Sequence, residues 1–177
     1  SMIGIGVIGY GYWGPNLVRN LSELPEARVV AVSDLRPERL EPLKLRYPQI
    51  ETISDYREIL ANPAIDAVAI ATPVSTHFDL AMQALHAGKH VLVEKPLAAN
   101  SEQGERLLEK AERCGRVLMV DHTFVYTGAV RKIKELLETE KLGQLYYYDS
   151  VRVNLGLFQH DVSVLWDLAV HDLSIMD

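Results

Sequence analysis

The chain has 177 residues, 48% of them hydrophobic and 24% charged, with a formal net charge of −6. That length and balance describe one globular domain, or one domain and part of a second, and exclude a disordered chain or a basic surface built for nucleic acid or an anionic membrane. No apolar run approaches the eighteen or so residues of a membrane span, the opening SMIGIGV lacks the regions of a secretory signal, and the single Cys114 suits a reducing compartment, so a cytoplasmic protein is expected.

Ile3 to Ile8 reads as a buried strand, followed by a helix from about Trp13 to Leu24 with Pro15 tolerated in its first turn. ARVVAVSD (27–34) is a second buried run, closing on Asp34. Leu40, Leu43 and Tyr47 space a helix over 37–47, which Pro42 is expected to kink or shorten. A short strand at 50–53 and a short helix over SDYREIL, capped by Ser54 or Asp55, lead to a buried strand at 66–72. In the next helix Thr76 and Asp79 resemble a capping pair, Phe78, Ala81, Met82 and Leu85 share a face, and Gly88 is the stop. HVLVEKP is strand and loop. A helix capped by Asn100 or Ser101 then runs to Gly115 with Leu107, Leu108, Ala111 and Cys114 on one face, and RVLMV (116–120) is the last strand of the series. Strands alternating with helices predict the α/β class, with a Rossmann-type doubly wound parallel sheet covered by helices on both faces.

Beyond 125 the pattern changes. The spacing predicts a helix over 128–142, a strand over QLYYYDSVRVN (144–154) and a helix from Asp161 onward. One domain is expected over 1–125, and the start of an incomplete α+β second domain over 126–177. Tyr146, Tyr147 and Tyr148 read as ordinary strand residues, and nothing forces Arg152 or Asn154 onto a ligand.

Five of the eleven glycines fall in the first fourteen positions. Gly9, Gly11 and Gly14 make G-x-G-x-x-G between a strand and a helix, a turn over which backbone N–H groups and a helix N-terminus face a pyrophosphate; Tyr10, Tyr12 and Trp13 belong to the same turn. Asp34, twenty residues after Gly14, stands where a carboxylate binds the adenosine ribose hydroxyls. Together these predict a dinucleotide domain over 1–125. Asp34 favours NAD over NADP, while Arg36 is open to three readings: reaching a phosphate, stacking on adenine, or lying in solvent.

ATPVSTH (71–77) and EKP (94–96) each follow a predicted strand at the sheet edge where open α/β folds bind ligands. A lysine there can order a substrate hydroxyl or lower its pKa, but Lys95 taken alone reads rather as a surface lysine paired with Glu94. Asp167 and His171, four apart, share a helix face with Ser163 and Ser174, opposite Leu165, Leu168, Ala169, Leu173 and Met176, and alone this reads as a solvated face. With His160 they are too thin a set for a metal, and none is expected.

GVIGYGYWG, ATPVSTH, VEKPLA and WDLAVHDLSIMD, in this order and spacing, resemble the Gfo/Idh/MocA-type oxidoreductases over essentially the whole chain. The resemblance implies nicotinamide-dependent hydride transfer on a sugar, polyol or nucleotide-sugar hydroxyl. It implies that Lys95 is the catalytic lysine beside the nicotinamide and that Glu94 and Pro96 shape its pocket. Thr72, Pro73 and His77 would be a cofactor-facing loop, with Asp121 and His122 at a strand end where the family also approaches nicotinamide. Asp167 and His171 match its Asp-x-x-x-His element on the substrate side; either Lys95 or His171 can take the substrate proton, with His171 favoured as acid/base and Lys95 as electrostatic support. Family members are much longer, so this chain reads as a shortened form that binds dinucleotide with little turnover. The implied partners are a sugar-like small molecule and further copies of the chain, with no nucleic acid and no membrane. The rival reading is a non-catalytic NAD-binding module for redox sensing or assembly.

Overall fold

Apolar residues on both faces of successive strands dictate a sheet buried on both sides, and the computed structural model shows one. It describes residues 2–139, 141, 143–144, 146–151, 163 and 165–176. The chain divides into two compact units, Ser1–Asp121 and His122–Asp177.

In the first unit, β1 (Ile3–Ile8), β2 (Ala27–Ser33), β3 (Glu51–Ile53), β4 (Ala67–Ile70), β5 (His90–Glu94) and β6 (Leu118–Asp121) form one parallel sheet in the order β3-β2-β1-β4-β5-β6. Every neighbouring pair is parallel, for example Val7 opposite Val32 on one side and Ala69 on the other. Alternation along each strand feeds two cores. Val68, Ile70, Val91 and Val93 join Ile59 of α3 (Tyr56–Ala61), Leu80 and Leu85 of α4 (Val74–His86) and Leu107 of α5 (Ser101–Cys114). Ile5, Val7, Val32 and Ala69 join Leu17 and Val18 of α1 (Gly14–Ser22) and Leu40 and Leu43 of α2 (Pro37–Arg46). Glycine in β1 serves this packing: a Cβ on Gly6 would run into the Ile59 side chain. That glycine therefore belongs to the core and not to the turn that follows.

Local chemistry sets the helix ends. Asp55 caps α3 by accepting from the Arg57 N–H at 3.0 Å, and Asn100 caps α5 by accepting from the Gln103 N–H at 3.0 Å. Gly88 (φ +75°) ends α4 with the Lys89 N–H donating to the Ala84 carbonyl at 3.0 Å, and Gly115 (φ +60°) ends α5. Pro42 lies exposed inside α2, which runs on to Arg46, one residue short of the expected end at Tyr47. One reading is corrected here. Thr76 does not cap α4, which begins two residues earlier; its hydroxyl instead bonds Thr72 Oγ1 and the Pro73 carbonyl, each at 2.7 Å.

The regular elements of the second unit among the described residues are helical: a 3₁₀ turn (Thr123–Tyr126), α6 (Gly128–Glu138), a wide turn over Leu165–Ala169 with one extra residue per turn, and α7 (Val170–Met176). The expected strand over 144–154 is corrected over residues 146–151, which lie in no strand. Aromatic alternation makes a strand only where a neighbour completes the ladder, and none does so among the described residues. Arg152, Asn154 and His160 lie outside the described residues. In the last helix His171, on the face that alone reads as solvated, is buried, while Leu165, Leu168, Leu173 and Met176 of the opposite face are exposed.

Candidate dinucleotide site

The order β3-β2-β1-β4-β5-β6 reverses direction between β1 and β4, and the loops leaving the carboxyl ends of those two strands flank the crevice where such sheets take ligands. Gly9 opens the loop after β1 with φ +96°, and a Cβ there would come within 2.7 Å of the Ala71 carbonyl oxygen and 2.8 Å of Thr72 Cγ2. A Cβ on Gly14 would strike the Gly9 carbonyl, so the third glycine closes the turn onto α1. Gly11 is different. A Cβ there would meet only the guanidinium of Arg39, a flexible group whose Nη1 would lie 3.1 Å away. Its lack of a side chain leaves the turn open towards solvent, which is what close approach of an anionic ligand to the backbone requires.

Asp34 follows β2 and is only 8% exposed. Oδ2 accepts from the Tyr10 N–H at 2.8 Å and Oδ1 from the Arg36 N–H at 2.9 Å. Arg39 Nη1 stands 3.6 Å from Oδ2. The structure thus brings Asp34, Tyr10 and Gly11 together as the spacing predicts, and adds Arg39. Sequence reasoning singled out Arg36, but that residue meets Asp34 through its backbone. The signal for Arg39 was its place in the first turn of α2, where a side chain can reach back over the loop. Tyr12 is exposed, its ring stacked on Trp13 at 6.2 Å between centroids.

A second group gathers at the ends of β4 and β5. His77, in the first turns of α4, is 1% exposed, with Nδ1 2.8 Å from the Pro96 carbonyl oxygen and Nε2 2.8 Å from that of Thr72. It thereby ties the loop after β4, with Thr72 and Pro73, to the loop after β5, with Lys95 and Pro96, whose shared peptide is cis. Glu94 and Asp121 are register partners at the ends of β5 and β6. Burial pushes the Glu94 carboxyl up to about 8; the hydrogen bond and like charge of Asp121 act in the same direction, and Lys95 opposes them. Glu94 therefore carries a proton at neutral pH. A protonated acid beside Lys95 leaves the ammonium charge less cancelled than the Glu94–Lys95 pair of the sequence would suggest.

In the second unit, His122 Nδ1 is buried without a hydrogen-bond partner. The His171 ring meets Phe124 edge-on, with centroids 4.7 Å apart, and Ser174 Oγ donates to the His171 carbonyl at 2.8 Å. The Asp167 N–H donates to the Ser163 carbonyl at 2.9 Å in the wide turn that leads into α7. Among the described residues, no three His, Cys, Asp or Glu side chains are placed to hold a metal, and no helix is long and apolar enough to cross a membrane.

A six-stranded parallel sheet of this order, a glycine turn after β1 and a carboxylate closing β2 define a Rossmann-type dinucleotide-binding unit. The family model for Gfo/Idh/MocA proteins, described as an oxidoreductase family with an NAD-binding Rossmann fold, matches residues 3–122. The chain belongs to that family. It is 28% identical over 183 residues to myo-inositol 2-dehydrogenase of Thermotoga maritima, covering 97% of this chain and 53% of the relative. An NAD-binding protein from Listeria innocua superposes with a TM-score of 0.85 at 28% identity, over 99% of this chain and 54% of that one. A 3-ketoreductase from Actinomadura kijaniata in complex with NADP and TDP-benzene superposes with a TM-score of 0.73 at 31% identity, over 78% and 43%. The chain spans about half the length of the curated relatives it matches.

Proposed function

We propose that the protein is a nicotinamide-dependent dehydrogenase that moves a hydride between the dinucleotide and a hydroxyl or keto carbon of a sugar, polyol or nucleotide sugar. The observation that carries this is the turn after β1: Gly11 is open where Gly9 and Gly14 are sterically required, and the fixed Asp34 carboxylate stands beside it. Backbone N–H groups of residues 11–14 and the N-terminus of α1 would hold the pyrophosphate, and Asp34 the adenosine ribose hydroxyls. The nicotinamide, when bound, accepts or gives the hydride.

Lys95 follows β5 at the same edge, where an ammonium stabilises the oxygen of a substrate hydroxyl as its proton leaves. His171 is assigned as acid/base and Asp167 as the residue that orients it or binds substrate hydroxyls. An inositol dehydrogenase and a 3-reductase of a dTDP-linked dideoxyglucose among the relatives favour a hydroxylated, sugar-like substrate. NAD is the assigned cofactor, because Asp34 would repel a 2′-phosphate. The complex of the 3-ketoreductase with NADP shows that related sheets accept the phosphorylated form, and here Arg39 is the group able to meet it.

Parallel calorimetric titration with NAD⁺ and NADP⁺ tests the reading. Binding of NAD⁺ at about micromolar strength and clearly weaker NADP⁺ are expected. Binding of neither refutes the site.

A further inference from the structure

His77 is as buried as any apolar core residue, yet both of its ring nitrogens face carbonyl oxygens at 2.8 Å. A carbonyl oxygen only accepts hydrogen bonds. A neutral imidazole has one N–H and one lone pair, so it could satisfy Pro96 or Thr72 but not both. The other contact would set a nitrogen lone pair against an oxygen lone pair at hydrogen-bond distance, closed off from water. The imidazolium has two N–H groups and satisfies both carbonyls with charge-assisted bonds. Burial and the positive end of α4 act against the charged form. Two short, well-partnered bonds act for it, and the helix end and both loops hold the three groups in place.

We infer that His77 is held as the doubly protonated imidazolium and is a positioning residue, a clamp between the Thr72 and Pro96 carbonyls that locks the loops after β4 and β5 into one edge. The clamp has a direct reach into the proposed site. Pro96 adjoins Lys95, and the other clamped residue, Thr72, packs where a Cβ on Gly9 would fall. Fixing both carbonyls fixes where the Lys95 backbone leaves the sheet and how wide the crevice beside the glycine turn stands. The positioning role rests on the reading of this edge as a dinucleotide site; the protonation state does not.

Two measurements on the ligand-free 177-residue chain test the proposal separately. In long-range ¹H–¹⁵N spectra of ¹⁵N-labelled protein at neutral pH, with His77→Gln used to identify the ring, both His77 nitrogens should show protonated shifts. The pattern of one protonated and one bare nitrogen overturns the clamp. In titrations with NAD⁺, His77→Gln, which cannot donate to both carbonyls, should bind about tenfold or more weakly while its far-ultraviolet circular dichroism stays native. Unchanged affinity overturns the positioning role. A wild-type chain that binds no dinucleotide refutes the functional reading and the positioning role with it, while the spectrum still decides the clamp. If His77→Gln does not fold, the wild-type spectrum decides alone, with His77 identified by its contacts to Thr72 and Pro96, and the neutral pattern overturns the proposal.

Discussion

Replacing Glu94 with Gln should flatten the pH dependence of folding stability between about pH 4.5 and 8. In the native protein burial lifts this carboxyl from 4.5 to about 8, with Asp121 adding to the shift. The folded state therefore binds the Glu94 proton more tightly than the unfolded chain does. The stabilisation is complete below the unfolded value near 4.5 and is lost as pH rises through about 8. At about 1.36 kcal/mol per pH unit, the interval between those values sets a ceiling of about 5 kcal/mol, and partial contact of Glu94 with water brings the expected loss nearer 2 kcal/mol. Glutamine keeps the shape and the hydrogen-bonding capacity of the protonated acid but cannot ionise. Urea unfolding of wild type and Glu94→Gln, followed by circular dichroism at about pH 5, 7 and 9, isolates the effect, because every other titrating group cancels in the difference. The two stabilities should be similar at about pH 5 and diverge by about 2 kcal/mol, with the variant the more stable, at about pH 9. Curves that stay parallel across the range would refute the assignment. Asp121→Asn supplies a check on cause: it removes the like charge but not the burial, so it should reduce the slope without abolishing it.

Other outcomes separate structure from ligand binding. Gly9→Ala forces a side chain into φ +96° against the Ala71 carbonyl and should cost about 3 kcal/mol in unfolding experiments, whereas Gly11→Ala should leave stability within about 0.5 kcal/mol and weaken NAD⁺ binding at least about tenfold. Equal effects of the two on stability would contradict the division of labour within the turn. Arg39→Gln should lower NADP⁺ affinity about tenfold and leave NAD⁺ within about twofold, read by parallel titration; an unchanged NADP⁺ affinity removes Arg39 from the site. Lys95→Met, assayed in the longest form of the protein that turns over, should collapse kcat while dinucleotide affinity stays within a small factor, and a large affinity loss would recast Lys95 as a binding residue.

The first unit was legible because each buried strand is a short apolar run and each helix carries its core residues at helical spacing. β1, β2, β4 and β5 could hardly fold otherwise, and Asp34 falls at the end of β2 by simple counting. What escaped was settled by side chains meeting across the chain. Thr76 has the residue type of a cap, yet its hydroxyl is taken up inside the first turn of α4 by Thr72 and Pro73. Arg39 reaches Asp34 only because α2 begins where it does. His77 is buried by the return of β5, which no local pattern announces. In the second unit, periodicity correctly marked an amphipathic segment around His171 but could not say which face would be covered. The tyrosine-rich stretch shows the same limit for strands, since pattern describes a surface and not its neighbour.

A carboxylate has about four lone-pair positions, and two of those on Asp34 are taken by the Tyr10 and Arg36 amides. The group proposed to read the ribose is thus also a brace for the glycine turn. Cofactor preference in this protein is therefore not an independently adjustable trait at that position: any substitution that welcomed a 2′-phosphate by removing Asp34 would also loosen the glycine turn. A lineage, or an engineer, seeking the phosphorylated cofactor would find the easier route through the first turn of α2, keeping Arg39 and replacing its exposed neighbour Glu38, which leaves the brace in place.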